Sequence, residues 1–281
     1  MSLTMGTGPF GQRSAGAFNF ELPRRQGVLY FEDSPRWVRG VLAGETVVDS
    51  RRVKLLHETG HLPVYYFPAE DLRADLLEPT AHTTRCPFKG EAAYWSIRVG
   101  DRLAENAVWG YDSPLDEAPW LTGHRAIFWD ALDEWYEEGE PAIVHARDPY
   151  HRIEILRTPR HVQISLAGET LADTERASVL LETGLPPRWY IPPEDVRTDL
   201  FEATDKRTGC PYKGFASYWT ARVGDTIEED VVWSYPEPTR EAAPVAGHLA
   251  FFNERVDIDV DGERQERPET PWSHGRRSAD R

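Results

Sequence analysis

Alternation of apolar and polar residues runs through most of this chain, in two matching sets. Residues 38–50, VRGVLAGETVVDS, read as a strand, an Ala-Gly-Glu turn and a returning strand, and residues 162–174, VQISLAGETLADT, repeat the pattern. LPVYYFP (62–68) and PPRWYIP (186–192) are short strands closed by proline, and AAYWSIRVGD (92–101) and ASYWTARVGD (216–225) are strands ending in a Gly-Asp turn. AVWGY (107–111), VVWSY (231–235), HRAIFW (124–129) and HLAFFN (248–253) extend the series, and RVDIDVDGE (255–263) alternates Val, Ile and Val with Asp. The period changes in PAEDLRADLLEPT (68–80) and PPEDVRTDLFEAT (192–204). There Leu72, Leu76 and Leu77, and again Val196, Leu200 and Phe201, fall at helical spacing behind a first turn of proline and acids. The pattern predicts a mainly β protein: two homologous compact β domains, each a barrel or two-sheet sandwich with one short α-helix.

The two sets are one domain written twice. Residues 36–129 align without a gap to residues 160–253 at a constant offset of 124, and about half of the aligned positions are identical. We therefore expect a first repeat over 26–142 and a second over 143–266, flanked by a disordered tail at 1–25 and a loose one at 267–281. The junction is short and carries apolar residues, so the repeats are expected to pack together as an intramolecular imitation of a two-fold dimer.

Charge and composition narrow the partners. A net charge of −15 repels phosphate backbones and anionic lipid, so neither nucleic acid nor a membrane is expected as a partner. Two cysteines at matched positions make no disulfide framework, and neither a secretory leader nor a long apolar run is seen; the expected location is the cytoplasm. No metal site or cofactor is expected. His82 and Cys86 have a ligand-like spacing, but position 206 of the second copy is lysine, and neither phosphate-cradling glycine motif occurs.

The duplication also filters the chemistry, because a polar residue present in both copies outlasted their divergence. CPFKG at 86–90 recurs as CPYKG at 210–214, a turn that presents Cys86 with Lys89 and Cys210 with Lys213. The cysteines are either nucleophiles whose thiolates the lysines favour, or small buried hydrophobes. His124 and His248, the matched histidines, are candidate bases for such a thiol or satisfied structural residues. On the following strand Tyr94, Ser96 and Arg98, and likewise Tyr218, Thr220 and Arg222, face away from a tryptophan side that is core; that face either lines a pocket or meets solvent. Trp109 with Tyr111, and Trp233 with Tyr235, share a face that either stacks a flat ligand or joins the core. Arg52 beside Asp49, with Glu58 nearby, and Arg176 beside Asp173, with Glu182, suggest ion pairs facing a pocket.

Taken with YxP, VWxY and GHxAxF, the CPxKG and YW motifs resemble a bacterial family catalogued as domain of unknown function 427, also filed under a nucleotidyltransferase-type name. The resemblance spans nearly the whole chain, twice, and implies a compact, mainly β domain. The positions matching its pattern include Tyr66 and Tyr190 besides the residues above. The expected function is binding of a small, anionic molecule in a Cys/Lys/Arg/Tyr pocket of each repeat. In it Arg52 and Arg176 would hold the charge, and Tyr94 and Tyr218 would orient the ligand. The alternatives are a thiol-dependent enzyme using Cys86 and Cys210, the transferase activity in the family's label, and a non-catalytic scaffold.

Overall fold

The computed structural model describes residues 3–12, 14–21, 27–270 and 272–273. The chain divides into two compact units between Tyr150 and His151. In the first, the strands are β1 (Leu29–Asp33), β2 (Val38–Leu42), β3 (Glu45–Ser50), β4 (Lys54–Glu58), β5 (Val64–Pro68), β6 (Leu77–Cys86), β7 (Gly90–Val99), β8 (Arg102–Gly110), β9 (His124–Ile127), β10 (Glu134–Glu137) and β11 (Glu140–Ala142). They form a seven-stranded sheet, ordered β1-β4-β5-β9-β8-β7-β6, and a four-stranded sheet, ordered β11-β10-β2-β3.

The second unit repeats the plan with β12 (Ile153–Arg157), β13 (Val162–Leu166), β14 (Glu169–Thr174), β15 (Ser178–Glu182), β16 (Arg188–Ile191), β17 (Phe201–Cys210), β18 (Gly214–Val223), β19 (Thr226–Ser234), β20 (Leu249–Phe251), β21 (Asp257–Val260) and β22 (Glu263–Arg264). Its sheets run β12-β15-β16-β20-β19-β18-β17 and β14-β13-β21-β22. The protein is mainly β in two homologous halves, and the open sheets make each half a sandwich, not a closed barrel.

The expected helix takes a different form. Its place is filled by two successive 3-10 turns, Ala69–Asp71 and Ala74–Leu76, and by Pro193–Asp195 and Thr198–Leu200 in the second unit. The stretch is too short for an α-helix because Leu72 leaves helical geometry to pair with Val48, as Val196 does with Ala172. Leu77 and Phe201 then begin long strands. The apolar stripe read as helical is real, since Leu72, Leu76 and Leu77 all pack on the inter-sheet core, but it is delivered by turns and a strand.

Each large sheet is covered on both faces. In the first unit Val38, Leu42, Leu55, Phe67, Ile97, Val108 and Trp135 fill the space between the sheets. The opposite face of the large sheet carries Leu56, Tyr66, Ala92, Tyr94, Tyr111 and Ala126, beneath Ala118 and Leu121 of the β8–β9 connection. In the second unit Leu180, Tyr190, Tyr218, Tyr235 and Ala250 lie on that face, beneath Ala242 and Val245. Tyr94 and Tyr218, on the face read as pocket or solvent, are therefore buried beneath these connections, together with Tyr111 and Tyr235.

Residues 3–12, assigned to a tail from sequence, form turns whose Thr4 and Phe10 carbonyls accept from Gly60 N–H at 3.0 Å and Thr59 Oγ1 at 2.9 Å. The stretch 143–150 belongs to the first unit, where Ala146 enters the core and the Arg147 carbonyl accepts from Arg36 at 3.0 Å. Residues 1–2, 13, 22–26, 271 and 274–281, which include parts of both expected tails, lie outside the described residues.

Candidate functional site

The CPxKG motif is the closed end of a long β-hairpin. Cys86 pairs with Gly90 across β6 and β7, leaving Pro87, Phe88 and Lys89 as the loop; Cys210 and Gly214 pair likewise. The glycine is needed twice over. Its φ is +104° at Gly90 and +100° at Gly214, in the region that side chains avoid. The covering segment also crosses there: a Cβ on Gly90 would lie 3.4 Å from Leu115 N, and one on Gly214 3.0 Å from Glu237 O. That segment is tied to the hairpin by its own backbone, Leu115 N–H donating to Lys89 O at 3.1 Å and Thr239 N–H to Lys213 O at 3.1 Å.

From this loop the lysine side chain turns inward. Lys89 Nζ donates to Glu58 Oε2 at the end of β4, and Lys213 Nζ to Glu182 Oε2 at the end of β15. Both pairs are nearly buried, with side-chain exposures of 11% and 13% in the first unit and 10% and 6% in the second. Burial favours the neutral form of Glu182, but the Lys213 charge and the hydrogen bonds from His151 and Lys213 outweigh it and hold the carboxyl down at about 2.

Three tyrosines complete the cluster. Trp109 Nε1 donates to Tyr66 Oη at 3.2 Å and Trp233 Nε1 to Tyr190 Oη at 3.1 Å, with the rings edge to face. Tyr94 and Tyr218 hydroxyls bond Thr84 at 2.8 Å and Thr208 at 2.6 Å. Lys89 Nζ sits 5.8 Å from the centre of the Tyr111 ring. Burial, with Cys86, Glu58 and Tyr94 close by, holds the Tyr111 phenol above its ordinary range; Tyr235 is pushed up in the same way, with Tyr190, Cys210, Tyr218 and Glu182 as its neighbours. Tyr111 and Tyr235 are 4% and 6% exposed, yet among the described residues neither hydroxyl has a hydrogen-bond partner. Cys86 and Cys210 are half-buried beside them.

The structure thus brings together Cys86, Lys89, Glu58, Tyr66, Tyr94, Trp109 and Tyr111, and their seven counterparts. Arg52 and His124 lie elsewhere. Lys54 and Glu58 mark opposite ends of β4, roughly 13 Å apart at 3.3 Å per residue. At the Lys54 end is a cleft of about 470 Å³ lined by Asp33, Arg52, Lys54, Pro68 and His124 among others. Phe31, stacked on Trp120 at 4.6 Å, packs against both Tyr66 and His124.

Within the cleft Arg52 pairs with Glu70 and Asp71 of the first 3-10 turn, as Arg176 does with Glu194 and Asp195. It fastens that turn and does not pair with Asp49, which accepts from Trp37 Nε1 at 2.6 Å. His124 Nδ1 faces Thr122 O at 3.1 Å and His248 Nδ1 faces Ala246 O at 3.2 Å. Burial pulls His124 below the ordinary histidine range. The lysines hydrogen-bond carboxylates and the histidines backbone carbonyls; none of the four hydrogen-bonds a cysteine.

The family model described as domain of unknown function (DUF427) matches residues 30–138 and again residues 154–262. The chain belongs to this family. It carries two tandem DUF427 domains, and the paired clusters occupy equivalent places in both. No curated protein matches the chain. Among the described residues no helix is long and apolar enough to cross a membrane, and no group of three or more His, Cys, Asp or Glu side chains is placed to hold a metal ion.

Sequence reasoning missed Thr84 and Thr208, whose only signal was their register, and did not pair the lysines with Glu58 and Glu182. It set apart His57, His61 and His82 as bases of the first DUF427 copy alone but gave such one-copy groups no partners. In the first, buried His57 bonds Glu32 at 2.8 Å. In the second, Arg188 and Glu254 form a buried bidentate pair at 2.7 Å.

Proposed function

We propose that each DUF427 domain of this chain binds a small molecule at the cysteine–tyrosine–lysine cluster under the segment that crosses the CPxKG hairpin. The observation that carries this reading is the Tyr111 and Tyr235 hydroxyls: their rings are buried beside a cysteine, neither has a hydrogen-bond partner among the described residues, and neither is among the fully enclosed unbonded atoms. A hydroxyl that is unbonded within the protein and reachable from outside can bond an external partner, and both copies present one in the same place. The buried Lys–Glu pair supports the same reading. Such pairs add little net stability over well-packed apolar residues, and both copies keep one. Because each lysine is neutralised by its glutamate and Arg52 and Arg176 are engaged elsewhere, the cluster offers hydrogen bonding and aromatic contact in place of net positive charge.

The test is retention of compounds from the small-molecule fraction of a cell extract, read by native mass spectrometry. The Tyr111→Phe/Tyr235→Phe double variant removes only two hydroxyls and is expected to keep the wild-type Tm. Compounds held by the wild type and released by the double variant are the expected result. Equal retention by both proteins, or none by either, overturns the proposal.

A further inference from the structure

Four neighbouring strands of the large sheet end together around the cleft of the first unit. Asp33 closes β1, Lys54 opens β4, Pro68 closes β5 and His124 opens β9. The β3–β4 turn adds Arg51, Arg52 and Val53 to the lining. The volume of about 470 Å³ lies within the roughly 300–1,000 Å³ of small-molecule sites.

Arg51, Arg52 and Lys54 line this space against the single carboxylate of Asp33, in a chain whose net charge is −15. Among the described residues Arg51 makes no hydrogen bond and no ion pair; its guanidinium rests on the Trp37 ring, 4.7 Å from the centre, with its N–H donors unused. Arg52 directs two of the guanidinium's five donors to Glu70 and Asp71, which stand outside the lining. Lys54 gives one of its three donors to Asp33, whose side chain is 85% exposed. A pair so open to solvent is weak and yields to a stronger anion. The second domain does not repeat the set. The offset of 124 places Glu175 opposite Arg51, Ser178 opposite Lys54 and Arg157 opposite Asp33, while Arg176 and His248 match Arg52 and His124.

We infer that this cleft of the first domain binds a tetrahedral oxyanion, the phosphate or sulfate group of a small molecule, with Arg51, Arg52 and Lys54 as its donors. Such a dianion takes several charge-assisted hydrogen bonds at once, and these three side chains hold donors in reserve for them. The remaining volume admits the organic part of the molecule. The site is separate from the CPxKG cluster and does not depend on it.

His124 reports on the cleft from within. Its Nδ1 faces the Thr122 carbonyl, which places the ring proton there and leaves Nε2 an acceptor. Burial, then the charges of Lys54 and Arg125, hold its pKa down against the Thr122 carbonyl and Glu70. A dianion beside Lys54 offsets those charges. Binding should therefore raise the His124 pKa and tighten as pH falls through it.

The probes are inorganic phosphate and inorganic sulfate, titrated separately into the full-length protein at an ionic strength held constant with chloride. Side-chain NMR of His124 and His248 reads the binding, and sulfate, whose charge is constant near neutral pH, carries the pH series. A saturable shift of His124, a raised His124 pKa and an unmoved His248 are expected. The tighter anion identifies the group recognised. Arg51→Glu and Lys54→Ser, which install the second domain's residues, are each expected to weaken binding by about tenfold or more at unchanged Tm. No saturable shift of His124 with either anion overturns the inference. So does equal movement of His124 and His248, or binding that both substitutions leave unchanged.

Discussion

Glu182 is where the chemistry of the site becomes a statement about stability. Its pKa lies at about 2 in the folded chain against an ordinary 4.5, so the folded state binds fewer protons than the unfolded state across that interval. A lowered carboxyl contributes fully above its unfolded value, and the contribution is lost as pH falls from about 4.5 toward 2. Glu182→Gln is expected to cost about 3–5 kcal/mol at neutral pH, because it strands Lys213 in a buried place. The cost should shrink toward pH 2, where the wild type surrenders the same interaction. Urea denaturation of both proteins at neutral pH and near pH 3 checks this; a cost independent of pH would contradict it. The residue identities in this group were legible from the duplication alone, since Cys86, Lys89, Glu58 and Tyr111 recur at one offset. Their partnership was not, because Glu58 and Lys89 stand 31 residues apart and meet only through the order of the strands.

At the scale of elements, the hairpin and the segment crossing it act as one part. Gly90 and Gly214 combine a left-handed backbone with a close crossing, and the crossing is tighter in the second unit. Gly90→Ala should destabilise by about 1–2 kcal/mol from backbone strain alone, and Gly214→Ala by more, because a carbonyl oxygen stands 3.0 Å from the new Cβ. Thermal unfolding of the two single variants tests that order, and equal losses would mean that the crossing yields freely. Strands were legible wherever period two was clean, as in 38–50 and 162–174, which are β2–β3 and β13–β14. The stretch at 68–80 was misread because two 3-10 turns followed by a strand place Leu72, Leu76 and Leu77 on one side, much as a helix would. The β6 strand itself was hidden, since EPTAHTTR is polar on both faces and mostly exposed, and nothing in its pattern marks the register shift between Pro79 and Thr83 in its pairing with β7.

For the molecule as a whole, duplication was the most legible property and also the source of what was overlooked. Matching the copies isolates what they share and discards what each keeps to itself. That is why His151, which bonds Glu182 and stands opposite Gly27 of the first copy, carried no signal until both sheets were seen. In each unit the large sheet is buried on both faces, yet the cluster is not spread evenly over it: Tyr66 and Trp109 belong to β5 and β8, beside the central β9, while Cys86 and Lys89 belong to the outermost hairpin. Amide hydrogen exchange should therefore be slowest at Tyr66 and Ala126, faster along β6, and graded between them; uniform protection across the sheet would count against this picture. If that gradient is found, the hairpin is expected to open locally before the rest of the sheet. An edge strand that opens and closes while the aromatic floor stays folded would expose Cys86 to an alkylating reagent without global unfolding, and labelling under native conditions checks this.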